Sequence, residues 1–227
     1  MKRLIVFSLV LAMAFTLGLS AVAAATELDR AYSVGNLVTF GAYEQDNNKG
    51  NGLEPIQWRV LAREGSKALL ISVYNLDCQP YNTAYTSVTW ETCTLRGWLN
   101  GTFLNAAFTQ AQRDAIVTSA LRNDKNSTFN TSGGNATQDK VFLLSEAEAE
   151  QLFTGDADRI AKNTAYAEAQ GAYSDSGAGW WWLRSPGNFT SYAAIVYDDG
   201  SLDLFGYRVN RDIVAVRPAL WIDLSSI

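Results

Sequence analysis

Three consecutive tryptophans, Trp180-Trp181-Trp182, followed by Leu183 and Arg184, constrain the fold of this chain more than any other stretch. On a strand, successive side chains point to opposite faces. Trp180, Trp182 and Arg184 then share one face, and Trp181 and Leu183 the other. One face can supply the core of a sheet, which leaves the second either free or covered by a loop. Aromatic rings beside a planar guanidinium suit sugar rings, peptides or carboxylates, because the ring faces stack and the fork directs hydrogen bonds. The competing reading places all three rings in the core, where an indole contributes much buried area, and pairs Arg184 with a buried carboxylate.

The run opens a segment of short strand-like stretches, Trp180–Ser185, Tyr192–Tyr197, Ser201–Phe205 and Val214–Ile222, separated by turn signals. Asp199-Gly200 is a strong hairpin signal between the second and third. Near the start, Val34–Tyr43 reads as a strand. Ile56–Leu61 and Ala68–Val73 read as a hairpin closed by Glu64-Gly65-Ser66-Lys67. The middle is helical in pattern: Thr94–Phe108, loosened at Gly97 and Gly101, then Gln110–Leu121. A capping box at Ser145–Glu148 starts a helix to Phe153, and Ala157–Gln170 is alanine-rich and ends at Gly171. Val141–Leu144 is a buried strand, and the polar stretch Asn123–Gln138 reads as a mobile surface loop. Strand-rich ends around a helical middle predict a single α+β domain with antiparallel strands, not an alternating βαβ unit.

The first residues have a separate purpose. Lys2 and Arg3 precede an apolar run from Leu4 to Leu19, and Ala21–Ala25 supply an A-x-A exit. These are the parts of a secretory signal over residues 1–25, cleaved after Ala23 or Ala25. The apolar run of about 16 residues falls short of the roughly 20 needed to span a bilayer, although retention as an anchor is the alternative. Residues 26–227 would form one domain that is secreted or held at the cell surface, with no membrane span after cleavage.

Composition narrows the chemistry. The net charge is −5, and loss of Lys2 and Arg3 with the signal would deepen it to −7. Such a surface repels nucleic acid and anionic lipid, so neither is an expected partner. The chain has no histidine, which excludes Ser-His-Asp and Cys-His hydrolases and imidazole-ligated zinc. The two cysteines, Cys78 and Cys93, are expected to form a disulfide in an oxidising compartment, worth about 3 kcal/mol in the chain-entropy picture.

Several strings stand in a fixed order: Val34-Gly35 with Phe40-Gly41, Trp58-Arg59-Val60-Leu61, Trp90 to Asn100 (WETCTLRGWLN), Trp181 to Gly187 (WWLRSPG) and Val216 to Trp221 (VRPALW). In these the chain resembles a widespread bacterial family of uncharacterised extracytoplasmic domains. More distantly, the late segment is similar to the C-type-lectin-like fold of formylglycine-generating enzymes and bacterial variable ligand-binding proteins. That likeness implies a C-type-lectin-like architecture. The copper-binding cysteines of those enzymes have no counterpart in the late segment, which argues against oxidase chemistry.

The candidate ligand-binding residues are therefore Trp180, Trp182, Arg184, Tyr192, Asp198, Tyr207 and Arg208, with carbohydrate or peptide as the expected ligand. Asp198, Asp199 and Asp203 surround one turn and are weak candidates for calcium; Asp46–Asn51, carrying Lys49, is a poorer one. No other cofactor is expected. Arg96 and Arg217 are expected to pair with internal carboxylates such as Asp77 or Glu91. Two other functions stay open: a structural or adhesion module making protein–protein contacts, and a glycan-active enzyme pairing Asp198 or Asp203 with Glu91, with the carboxyls roughly 5–10 Å apart.

Overall fold

Strand patterning at both ends of the chain builds two five-stranded sheets. The computed structural model describes residues 27–227; the predicted export signal, residues 1–25, lies outside them. The first sheet takes β1 (Leu37–Tyr43), β2 (Glu54–Glu64), β3 (Lys67–Ser72), β7 (Val141–Phe142) and β12 (Ala219–Asp223) in the order β1-β2-β3-β12-β7. The second takes β4 (Asp77–Cys78), β8 (Trp181–Pro186), β9 (Tyr192–Val196), β10 (Leu202–Arg208) and β11 (Ala215–Val216) in the order β10-β9-β8-β11-β4. A third, two-stranded ladder joins β5 (Ser119–Leu121) to β6 (Thr137–Asp139). Every pairing between these strands is antiparallel except β8 with β11. Apolar residues from both five-stranded sheets share one core.

The two predicted hairpins form. β2 and β3 pair from Glu64↔Lys67 inward, and β9 and β10 meet across the Asp199-Gly200 turn. Gly200 there has φ +84, and an added Cβ would lie 1.8 Å from the Asp156 carbonyl oxygen; only glycine fits. The expected strand Val214–Ile222 divides. Its first part, β11, belongs to the second sheet, and after Arg217-Pro218 its second part, β12, joins the first. Proline has no N–H for a ladder, so the chain changes sheet there.

The helical middle is shorter than its pattern suggests. Thr94–Phe108 forms α1 (Thr94–Trp98), a π-helical turn (Leu99–Phe103) containing Gly101, and α2 (Leu104–Ala107). The next helix, α3 (Gln110–Ala115), stops early because Ile116 turns extended to bridge Ile222, and the chain continues into β5. The Ser145/Glu148 capping box starts α4 (Glu146–Gln151) as expected. Ala157–Gln170 breaks into α5 (Asp156–Arg159) and α6 (Ala165–Ala169). Between these, Lys162 and Asn163 are drawn into bridges with Ala178 and Asn75. Tertiary pairing overrides helix propensity in both places. The outcome is a mixed α+β domain, mostly antiparallel, with few and short helices.

The stretch 123–138 is not a loose loop. Asn126 is fully buried: its side-chain amide donates to the Pro186 and Leu204 carbonyls, each at 2.8 Å, and its Oδ1 accepts from Thr128 N and Phe129 N. A polar anchor leaves no apolar signature in sequence, which is why the stretch reads as mobile.

The expected disulfide is also corrected. Cys78 and Cys93 are both free and buried. Cys78 packs with Ala167, Ala172 and Ala215, its Sγ 3.1 Å from the Asp212 carbonyl, while Cys93 belongs to the main core. Burial pushes both thiols up to about 12, so neither is a thiolate nucleophile near neutrality.

Candidate functional site

The structure separates the seven candidate ligand residues into three groups. Trp182 and Arg184 lie inside. Trp182 is wholly buried, its indole N–H donating to the Gln79 carbonyl at 3.0 Å and its ring edge-on to Tyr81 at 5.7 Å. Tyr81 in turn packs on Trp90 and donates its hydroxyl to the Arg184 carbonyl at 2.9 Å. The long connection after β4 thus covers the face of β8 that sequence alone leaves free. Arg184 is 4 % exposed and forks onto Glu148, with one bond of 2.8 Å and a second between Nη1 and Oε2. It donates further to the Leu143 carbonyl at 3.0 Å. Neither side chain is available to a ligand. Trp181, on the opposite face, is also fully buried and stacks under the Arg217 guanidinium at 4.9 Å.

Arg96 pairs with an internal carboxylate as expected, but Asp139 rather than Asp77 or Glu91, whereas Arg217 takes backbone carbonyls. Arg217, at the crossing between sheets, donates to the Ser72 and Arg159 carbonyls at 3.0 and 2.8 Å and also lies over Phe153. Among the described residues no carboxylate pairs with it, and burial lowers its pKa. Arg96 pairs with Asp139 at 2.6 Å; the same carboxylate accepts the Trp90 indole N–H at 2.9 Å. From the Glu91 residue Arg96 takes only the backbone carbonyl. The ordered strings are therefore interior: Trp90 and Arg96 of one string share Asp139, and the strings of Trp181 and Arg217 meet each other.

The second group, Trp180, Asp198 and Tyr207, lies at the surface. Trp180 is only half-buried and donates its indole N–H to Asp198 Oδ1 at 2.7 Å. Tyr173, 38 % exposed, stacks on it at 4.5 Å, and Tyr197 and Tyr207 meet it edge-on at 5.1 and 5.6 Å. The Tyr197 hydroxyl donates to Asp203 Oδ2 at 2.7 Å; burial, then this carboxylate, pushes its pKa up to about 12. Four rings and two carboxylates thus share one rim. The β10 bulge between Asp203 and Tyr207 depends on Gly206 (φ +79), where a Cβ would lie 2.4 Å from the Ala193 carbonyl oxygen. Tyr173 was missed because it lies on the connection before the strand and belongs to no pattern.

Beside this rim, Asn163 donates to the Tyr173 carbonyl at 2.9 Å and accepts from buried Asn75 at 2.8 Å. It also lines a cleft of about 220 Å3 with Gln45, Asp46, Tyr74 and Thr164.

The third group, Tyr192 and Arg208, faces the other way. Arg208 Nε donates to the Tyr192 hydroxyl at 3.2 Å, lowering the Tyr192 pKa, and its guanidinium lies over Tyr85 at 5.4 Å. Phe189 and Phe205 meet Tyr192 edge-on at 6.0 and 5.9 Å, and Phe129 meets Phe205 at 5.9 Å.

The calcium candidates do not converge. Asp198 accepts from Trp180 and Asp203 from Tyr197. Asp199 is turned onto Ser201, whose backbone and hydroxyl lower its pKa. Among the described residues, the carboxylates that do converge are Glu44, Asp46 and Glu54, with oxygens within 4.8 Å of one another. Glu91, the proposed catalytic partner of Asp198 or Asp203, accepts from Asn135 instead.

A mixed antiparallel α+β domain with sealed motif residues and an aromatic, carboxylate-bearing rim is the class these observations define. The chain belongs to the family described as a domain of unknown function, DUF6273, which it matches over residues 65–224. That span contains Trp90, Trp181 and Trp182, the rim and the Tyr192–Arg208 group; β1 and β2, with the buried Trp58, precede it. No curated protein and no solved structure matches the chain. No helix among the described residues is long and apolar enough to cross a membrane.

Proposed function

We propose that the protein is an exported ligand-binding module, secreted or held at the cell surface, of C-type-lectin-like architecture. Its ligand is a carbohydrate or peptide, and it binds at the rim around Trp180. The observation that carries this reading is the stack of Tyr173 on Trp180 beside Tyr197 and Tyr207, with Asp198 and Asp203 in the same cluster. Ring faces pack against the C–H faces of a pyranose, and carboxylates accept its hydroxyls. Trp180 and Tyr197 hold those carboxylates in place before any ligand arrives, which reduces the ordering cost of binding. The charged groups in contact with the rim's rings are the acceptors Asp198 and Asp203, so carbohydrate is the better match of the two ligand classes.

The test is a glycan array probed with the full chain, followed by titration of the best-bound glycan. Tyr173→Ala and Trp180→Ala should each weaken binding about tenfold or more, with the circular dichroism spectrum unchanged. A peptide library bound through the same two residues would move the ligand to the peptide class. Binding that survives both substitutions, or no binding to glycan or peptide, would overturn the site.

A further inference from the structure

We propose that the ridge of Phe129, Phe189, Tyr192 and Phe205, with Tyr85 and Arg208, docks a polypeptide segment carrying both apolar and carboxylate side chains. Phe129, Phe189, Phe205 and Tyr85 are 42 %, 61 %, 51 % and 53 % exposed. The first three join Tyr192 in a continuous chain of edge-to-face contacts. Single exposed apolar residues are ordinary; a connected group of large rings around a guanidinium has the composition of an interface hot spot.

The ridge is held ready for a partner. Phe129 is the one large apolar residue in the stretch 123–138, and that stretch is fixed so that Phe129 stands outward. Asn126 ties it to the Pro186 and Leu204 carbonyls, and the Thr131 hydroxyl donates to the Asn188 carbonyl at 2.8 Å. Leu204 and Phe205 already receive hydrogen bonds on their carbonyls from Asn126 and Asn188. The partner is therefore recognised by side chains and does not add a strand along this part of β10.

Charge decides the partner's chemistry. Arg208 is exposed and sits among aromatic groups, and Arg211 adds positive potential at Tyr192. Neither arginine makes an ion pair among the described residues. On a chain of net charge −5, this is a local cationic and aromatic patch, complementary to carboxylates between apolar groups. A two-fold contact between copies would place this same cationic patch on both sides of the interface, which opposes pairing of the ridge with itself. The overall negative charge opposes docking on an anionic bilayer.

The inference is independent of the carbohydrate reading, because the ridge shares no residue with the Trp180 rim. The full chain is titrated with labelled peptides that share the same Phe and Leu residues but carry either Glu or Lys between them. The Glu peptides should bind about tenfold or more tighter, and the gap should shrink as salt rises from about 0.05 to about 0.5 M. Phe205→Ser should weaken Glu-peptide binding about tenfold, Arg208→Glu should reverse the preference, and Trp180→Ala should change neither. All of these side chains are surface groups, and an unchanged melting temperature confirms folding. Equal binding of both peptide sets, or binding of neither, overturns the proposal. So does self-association lost in Phe205→Ser, or tighter binding to phosphatidylglycerol vesicles than to Glu peptides.

Discussion

Trp180 and Trp182 sit two residues apart, the first just before β8 and the second within it, and they have opposite fates. Trp182 is sealed beneath Tyr81, itself packed on Trp90, whereas Trp180 stands half-open beneath Tyr173 with its indole N–H on Asp198. Alternation along the sequence does not distinguish them. The difference arises from what the rest of the chain lays over each position: the connection after β4 covers one, while Tyr173, Tyr197 and Tyr207 flank the other and leave it half-open. Alternation on a strand assigns a residue to a face; distant segments decide whether that face is interior.

The largest effect that would break this comparison is Trp182→Ala, expected to cost about 3–5 kcal/mol in urea unfolding, as for a fully buried aromatic. Trp180→Ala should cost no more than about 1 kcal/mol. Similar losses at both positions would erase the distinction.

Arg184→Ala should cost about 3 kcal/mol, because it strands the Glu148 carboxylate and removes the donor to Leu143. Combining Arg184→Met with Glu148→Gln should recover part of that loss, since no charge is left unpaired and glutamine keeps the capping-box bond from Ser145 N. A double variant no more stable than Arg184→Ala would show that the ion pair does more than fill the interior.

Two carboxylates sharpen the contrast further by titrating in opposite directions. Burial raises the Asp77 pKa, outweighing the hydrogen bonds from Tyr43, Gln79 and Cys78 that lower it. The ionised form is therefore penalised in the folded state. That penalty is absent below the unfolded value near ~3.9 and grows as pH rises above it. Asp77→Asn should gain about 1 kcal/mol at neutral pH and nothing near pH 3. Asp158, about a quarter exposed, is held down to about 2, chiefly by its hydrogen bond from Arg59. Its contribution is present above ~3.9 and lost as pH falls through about 2. Because solvent screens this pair, Asp158→Asn should cost no more than about 1 kcal/mol at neutral pH. Thermal melts of both variants across pH check the two signs.

The smallest effects are expected at the surface and the thiols. Tyr173→Ala and Phe205→Ser should each change stability by about 0.5 kcal/mol or less. Reductant should leave the melting temperature unchanged, because Cys78 and Cys93 are free. A clear drop on reduction would restore the bridge.

Much of this fold was readable where local rules and tertiary structure agree. The hairpins β2–β3 and β9–β10 followed from alternation and turn residues, and α4 from Ser145 and Glu148. What was unreadable depended on distant partners. Asn126 anchors a polar stretch without an apolar signature, and Asn75 helps pull Asn163 out of a helical pattern. At the site, Trp180, Asp198 and Tyr207 do gather, because a hairpin brings its ends beside the neighbouring strand. Trp182 and Arg184 were assigned to the correct face but not to its cover. The signal for that cover was present in Tyr81 and Trp90, two large aromatic residues on an otherwise irregular connection. Cys78 and Cys93 show the opposite limit, since spacing says nothing of which cluster each thiol enters.

The direct measurement is nuclear magnetic resonance of the indole N–H groups, which the seven tryptophans supply, during titration with the best-bound glycan. The Trp180 signal should shift with saturation, while those of Trp181 and Trp182 stay in place and exchange with solvent only at the rate of global unfolding. A shift at Trp182 with Trp180 unmoved would contradict the division between a sealed interior and an open rim.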